Sequence, residues 1–343
     1  MKLLFIGGIN AGKLPLGGDQ YKNQLILEYF RDKHINSTVI DTFQWKYRPF
    51  TLLKLFFLLA IGGYDRIILS VSSGSAYRLI RLLNLFPRKL KNTVYLVIGG
   101  FLPTGINNGK YSIKFYQGLK IIAVEGKMLK EGLLELGLEN VVVVPNFKKI
   151  TRLPERASTP VSAVKFVFIS RITQAKGVTD IVEAIRLLNN NGYTDRFTVT
   201  FYGPVDQAFK TAFNSYLNRQ LSYEGILNII EEPDQCYKKL SCYDCMLFPT
   251  YWSSEGFPGV IIDAFIAGLP VIASDWNMNT ELIQDGVNGI IIHPRNPHSL
   301  AEAMKKVIDN PELLRDMSVN AKLRAEDYDI EKIGPEIIRL IES

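Results

Sequence analysis

The chain of 343 residues predicts an α/β fold: two Rossmann-like, doubly wound parallel-sheet domains facing each other across a cleft. Three observations carry that prediction. The length exceeds what one hydrophobic core ordinarily serves and suits two domains of common size. Short β-branched runs alternate with helical patterns along the whole chain, as parallel strands with helical crossovers require. The composition, 47% hydrophobic and 22% charged, is that of an ordinary globular protein.

Taken in order, the first half places strands at 2–7, 37–41, 66–71, 93–98, 120–124 and 141–144, and the second at 165–170, 197–202, 226–230, 245–248, 270–273 and 289–292. Residues 145–161, rich in Pro and charge, form the expected linker, which divides the chain into a first domain over 1–150 and a second over 151–324. In open sheets of this kind ligands bind beyond the carboxyl ends of the strands, so the loops that follow the strands are where chemistry is sought.

Charge is unevenly divided. Residues 1–150 hold 21 Lys and Arg against 9 Asp and Glu, and the remainder holds 19 against 25. The first half therefore suits an anionic partner: lipid headgroups, a phosphorylated acceptor or nucleic acid. No nucleic-acid-binding motif accompanies the charge, and nucleic acid is not expected. No run reaches the length that spans a bilayer, and Met1-Lys2 leads straight into a strand, so the expected location is the cytoplasm. Three cysteines, Cys236, Cys242 and Cys245, fit a reducing compartment. Cys242 and Cys245 form a C-x-x-C with no second pair and no nearby His, so no metal site is assigned.

The most informative stretch is 253–274, SSEGFPGVIIDAFIAGLPVIAS. Glu255 precedes a turn at Gly256, Pro258 suits a first helical turn, and the helix that follows is apolar all round except for Asp263. A lone carboxylate in so apolar a helix is costly unless something binds it, whether a ligand or, in a core helix, a neighbouring backbone group or water. Gly259 lies on the same helical face, leaving room for approach. After the strand ending at Ser170 comes Arg171-Ile-Thr-Gln-Ala-Lys176-Gly177, which puts two cations beside a helix N-terminus, where a diphosphate is well neutralised. Gly203-Pro204 closes the next strand and is placed to shape the same region.

These residues resemble the donor motif of retaining, nucleotide-sugar-dependent glycosyltransferases of the GT-B fold, family 4, in which two glutamates are separated by seven residues. Here the pair is Glu255 and Asp263, the second one methylene shorter. The resemblance implies that Arg171 and Lys176 bind the donor diphosphate and, with Glu255, are the catalytic residues. It further implies that Glu255, Gly256, Phe257, Pro258 and Gly259 hold the donor sugar, and Asp263 the ribose. It implies no cofactor beyond the donor itself, a UDP-sugar being expected, with a glycan or lipid-linked hydroxyl as acceptor. The segment 325–343 resembles that family's closing helix, which crosses back to the first domain.

Near the N-terminus, Gly7 to Lys13 has the G-x4-G-K spacing of a phosphate-binding loop, but Leu14 stands where a metal-binding Ser or Thr belongs and Pro15 follows. Gly17 and Gly18, just before Asp19, let backbone N–H groups approach a phosphate or sugar, and resemble the family's glycine-rich loop, with Lys13 and Lys22 beside them. Many family members carry a His after the fourth strand; this chain has Gly99-Gly100-Phe101 there. Residues 45–60, WKYRPFTLLKLFFLLA, with Lys46, Arg48 and Lys54, suit either a core helix or a face resting on an anionic membrane at the inner face of the plasma membrane. The sequence thus predicts a metal-independent glycosyltransferase. The departures at Asp263 and at Gly99-Gly100 favour, as an alternative, a nucleotide-sugar-binding subunit without turnover; a sugar-nucleotide epimerase of the same architecture is a further alternative, and it would want more acids and a histidine in the cleft.

Overall fold

Two six-stranded, wholly parallel sheets organise the protein in a computed structural model that describes residues 1–343 except 12, 14, 16, 48 and 151–162. Gly12, Leu14, Arg48 and most of the expected linker lie outside the described residues. Chain contacts divide the molecule into one unit of Met1–Lys149 with Tyr328–Ser343, and a second of Ile150–Asp327.

In the first unit the strands are β1 (Leu3–Gly7), β2 (Ser37–Asp41), β3 (Arg66–Ser72), β4 (Thr93–Ile98), β5 (Ile121–Val124) and β6 (Val141–Val143), in the order β2-β1-β3-β4-β5-β6. Every residue of β1 is buried, as expected of a parallel strand covered on both faces. Helix α1 (Gly18–Asp32) packs Ile26 and Phe30 against Phe5 and Ile68. The C-terminal helix Ile330–Glu342 adds Ile333, Ile337 and Ile341 to the same core, and Ile330 N donates to the Lys148 carbonyl at 2.8 Å.

The glycine-rich loop after β1 is clamped from within. Asp41 Oδ1 accepts from the backbone N–H groups of Ile9 and Phe43, each at 2.9 Å, and Oδ2 from Ala11 at 3.0 Å. The phosphate-loop spacing is therefore a coincidence of composition: amides that such a loop aims at an anion are spent here on an internal carboxylate. Burial acts to raise the Asp41 carboxyl, but the backbone N–H groups of Ala11, Ile9, Phe43 and Asn10 outweigh it and hold it below its usual range. A depressed carboxyl contributes stability above its unfolded pKa of about 4 and loses it as pH falls through the folded value. Asp41→Asn is expected to cost about 1 kcal/mol at neutral pH, discounted for partial exposure. Thermal melts of both proteins will show the difference closing below about pH 4; a difference that persists there would reject the clamp.

The second unit contains β7 (Val164–Ile169), β8 (Phe197–Tyr202), β9 (Leu221–Tyr223), β10 (Cys245–Phe248), β11 (Val271–Ser274) and β12 (Gly289–Ile292), ordered β12-β11-β10-β7-β8-β9. Phe166, Phe168, Phe197, Phe201 and Leu247 are buried in its core. One expected strand moves. Residues 226–230 are irregular, and the sixth edge position is taken by Leu221–Tyr223, which pairs Leu221 with Val199 and Tyr223 with Phe201. Gly225, at φ +79°, turns the chain away, and its carbonyl accepts from Gly203 N at 2.8 Å. The apolar run Ile226–Ile230 thus has no sheet partner, and Ile226 is 61% exposed.

Candidate functional site

Strand order reverses between β7 and β10, and such a switch point is where an open α/β sheet leaves a crevice at its carboxyl edge. The loops leaving these two strands carry Arg171 and Lys176 on one side and Glu255 on the other. A short helical turn, Gln174–Lys176, and Gly177 at φ +80° carry the first loop into the helix Val178–Asn190. The second loop runs from Pro249 to Pro258, which occupies the N-cap of the helix Gly259–Ile266, and no side chain caps that helix. Backbone bonding joins the loops, Tyr251 N donating to the Ala175 carbonyl at 2.9 Å.

At the centre, Lys176 Nζ forms an ion pair with Glu255 Oε2, and both side chains are largely buried. The same Oε2 accepts from Thr250 Oγ1 at 3.0 Å. Lys176 also lies over the Phe248 ring, 5.6 Å from its centre. Arg171 stays exposed and stacks on Trp252 with its guanidinium carbon 4.7 Å from the ring centre. Glu255 N donates to the Trp252 carbonyl at 3.0 Å, so the tryptophan ties the cation of one loop to the acid of the other.

A third strand end supports this pair. Asn277, held at φ +47°, donates its side-chain amide to the Glu255 carbonyl at 2.8 Å. Trp276 Nε1 donates to the Trp252 carbonyl at 2.9 Å, and Ser274 Oγ donates to the Thr250 carbonyl. Thr250, Trp252, Trp276 and Asn277 escaped the sequence reading; the available signal was that each lies within a few residues of a strand's carboxyl end. The outcome is two cations, one of them paired with a carboxylate that Thr250 also holds, beside an uncapped helix start, a set suited to a diphosphate next to a hydroxyl-rich group.

The other expected residues fall as follows. Gly256 and Gly259 are partly exposed in the loop and first helical position, while Phe257 and Pro258 are buried. Asp263 is 4% exposed and accepts from Tyr237 OH at 2.8 Å, so a neighbouring phenol meets part of the cost of burying it. Gly17 and Gly18 belong to the first unit, at the start of α1, Gly17 with extended backbone. Lys22, in the same unit, is buried and paired with Glu125 at 2.7 Å, so its charge is committed inside the fold. Of the C-x-x-C, Cys245 is buried and Cys242 exposed.

The sequence profile of the family described as Glycosyl transferases group 1 matches residues 149–324, the part of the chain that holds this site. Among curated proteins, the α-D-kanosaminyltransferase of Streptomyces kanamyceticus is 25% identical over 173 residues, covering 50% of this chain and 43% of that protein. The amylovoran biosynthesis glycosyltransferase AmsK of Erwinia amylovora is 25% identical over 149 residues, 42% of this chain and 36% of its own. The chain thus spans less than half the length of either relative. Among solved structures, HepE of Anabaena in complex with UDP superposes with a TM-score of 0.75 at 16% identity, covering 100% of both chains. At that identity the likeness carries the fold alone, and the fold is GT-B.

Proposed function

The chain belongs to the glycosyl transferases group 1 family, and from that premise we propose that it transfers a sugar from a nucleoside diphosphate donor, a UDP-sugar, to a hydroxyl of a glycan or lipid-linked acceptor. The Lys176–Glu255 pair at the β7/β10 switch point carries this reading. Without donor, the two groups neutralise each other. An arriving diphosphate offers Lys176 a stronger anion, helped by Arg171, and Lys176's departure frees the Glu255 carboxylate to accept from sugar hydroxyls. Positive groups already in place stabilise the leaving diphosphate without reorganisation, and the reaction is proposed to run without a metal ion.

The anomeric carbon–oxygen bond to the diphosphate breaks and a bond to the acceptor oxygen forms. Retention at the anomeric carbon is part of the proposal: the acceptor approaches on the face the diphosphate leaves, and its proton passes to a departing phosphate oxygen. Asp263 would hold the ribose, with Tyr237 fixing its rotamer. A complex of HepE with UDP-glucose lends support to the choice of donor. The basic first half of the chain favours an acceptor met at an anionic surface on the cytoplasmic side of a membrane.

Calorimetric titration with UDP, GDP and ADP, with and without Arg171→Ala, tests the reading. Arg171 is exposed, so the variant folds; its loss is expected to weaken binding of the preferred nucleotide by about 1 to 3 kcal/mol. Unchanged affinity would remove Arg171 from the site. Slow hydrolysis of the matching sugar nucleotide, unaffected by a chelator, distinguishes an enzyme from a subunit that only binds.

A further inference from the structure

Helix α2 (Pro49–Ile61) shows water an apolar face. It docks on the first unit through Leu55 and Leu59, which are 2% and 1% exposed. On its other side Phe50, Leu53, Phe57 and Ile61 are 80%, 53%, 53% and 82% exposed, and their spacing sets them in one stripe along the helix. Soluble proteins rarely leave such a stripe uncovered. The helix is too short to cross a membrane: 13 residues rise about 20 Å, against roughly 30 Å of hydrocarbon.

Charge around the stripe identifies what covers it. Between Asp41 and Glu125 the chain has twelve Lys and Arg and a single acid, Asp65. Lys54 is exposed on the helix itself. The segment after Leu85 flanks its far end: Phe86 packs edge-on against Phe56 with ring centres 5.6 Å apart, and Lys89 Nζ donates to the Gly62 and Tyr64 carbonyls at 2.8 and 2.9 Å. That places Arg88 and Lys91, both exposed, beside the stripe, and Leu85, 68% exposed, extends its apolar area.

We infer that α2 is an in-plane membrane anchor, lying in the headgroup region of an anionic bilayer with Phe50, Leu53, Phe57 and Ile61 among the acyl chains and Lys54, Arg88 and Lys91 on the lipid phosphates. An apolar stripe with a basic collar is the arrangement such a surface selects. Trp45 and Tyr47 lead into α2 and also line a hollow of about 240 Å³ at the carboxyl ends of β1, β2 and β3, with Asp19, Gln20, Ser72 and Ser75. Resting on the transferase reading, the acceptor is then a lipid-linked glycan whose polar head enters that hollow from the bilayer surface.

Co-sedimentation of the full chain with phosphatidylglycerol-containing vesicles and with pure phosphatidylcholine vesicles, at low and high salt, tests the anchor. The wild type is expected to bind the anionic vesicles and to keep part of that binding at high salt, because insertion of apolar groups is not screened. Phe50→Ser with Phe57→Ser will lower vesicle affinity about tenfold or more at either salt, while Lys54→Glu with Arg88→Glu will act chiefly at low salt. All four residues lie on the surface, so melting temperature and nucleotide affinity stay at wild-type values. Wild-type protein that ignores anionic vesicles, or a double Phe variant that binds them normally, overturns the anchor. So does a solution dimer dispersed by the Phe substitutions without change in vesicle binding, since the stripe would then cover a second copy. Vesicle binding needs no nucleotide: a protein that binds vesicles and no nucleoside diphosphate would refute the transferase reading and leave the anchor standing.

Discussion

Glu255→Gln will reduce sugar transfer on the order of a hundredfold, the usual scale for removing one preorganised polar contact from a developing charge, while UDP binds as well as before or more tightly. The substitution keeps the shape and the bond from Thr250 Oγ1 but removes the charge that pairs with Lys176. In the wild type the diphosphate must draw the ammonium from its carboxylate partner; in the variant that competition is gone, so ground-state binding of the bare nucleotide does not suffer. Transfer needs the carboxylate itself to accept from the donor sugar, so the loss falls on turnover. Parallel measurement of UDP affinity and initial rate separates the two. Wild-type turnover, or UDP binding lost together with activity, would break the assignment of Glu255 to the sugar and Lys176 to the diphosphate.

Gly203→Ala will destabilise the second unit by about 2 to 4 kcal/mol, combining backbone strain with overpacking. Gly203 directly follows β8 at φ +136°, a region that L residues with side chains scarcely enter. A Cβ there would collide with the Ser170 carbonyl oxygen, and Ser170 immediately precedes Arg171. Nor can the two strand ends move apart cheaply, because Ser170 N donates to the Tyr202 carbonyl at 3.1 Å and Ile172 N to the Pro204 carbonyl at 2.9 Å. Gly192→Ala is the control: its φ is +83°, but the added Cβ meets nothing within 4 Å, so only the left-handed backbone cost of about 1 kcal/mol applies. Equal losses of melting temperature in the two variants would show that the close approach of Gly203 to Ser170 is not what fixes the glycine.

How far the chain is legible without coordinates depends on which interactions are local. Strands such as Thr93–Ile98 and Phe197–Tyr202 could be located because they are short runs rich in β-branched and aromatic residues, as largely buried parallel strands require. Ile226–Ile230 misled for the same reason: its composition suits a strand, and only the pairing of Leu221 and Tyr223 with β8 shows that the edge is already occupied. Asp41 gave no sign of its role, since Ile9 and Ala11, which it clamps, lie some thirty residues earlier in the loop after β1.

By itself the sequence determined the parallel α/β architecture, the cations Arg171 and Lys176 at one strand end, the acid Glu255 at another, and the apolar helix around Asp263, because periodicity, charge and turn chemistry are written residue by residue. Tertiary structure alone decided that Lys176 and Glu255 neutralise each other, that Trp252 and Asn277 hold the acid in place, that Tyr237 partners Asp263, and that α2 turns Phe50 and Phe57 outward. Each of these joins residues from different elements or loops or sets one helical face against solvent, and an apolar run has the same composition whether it faces a core or a membrane.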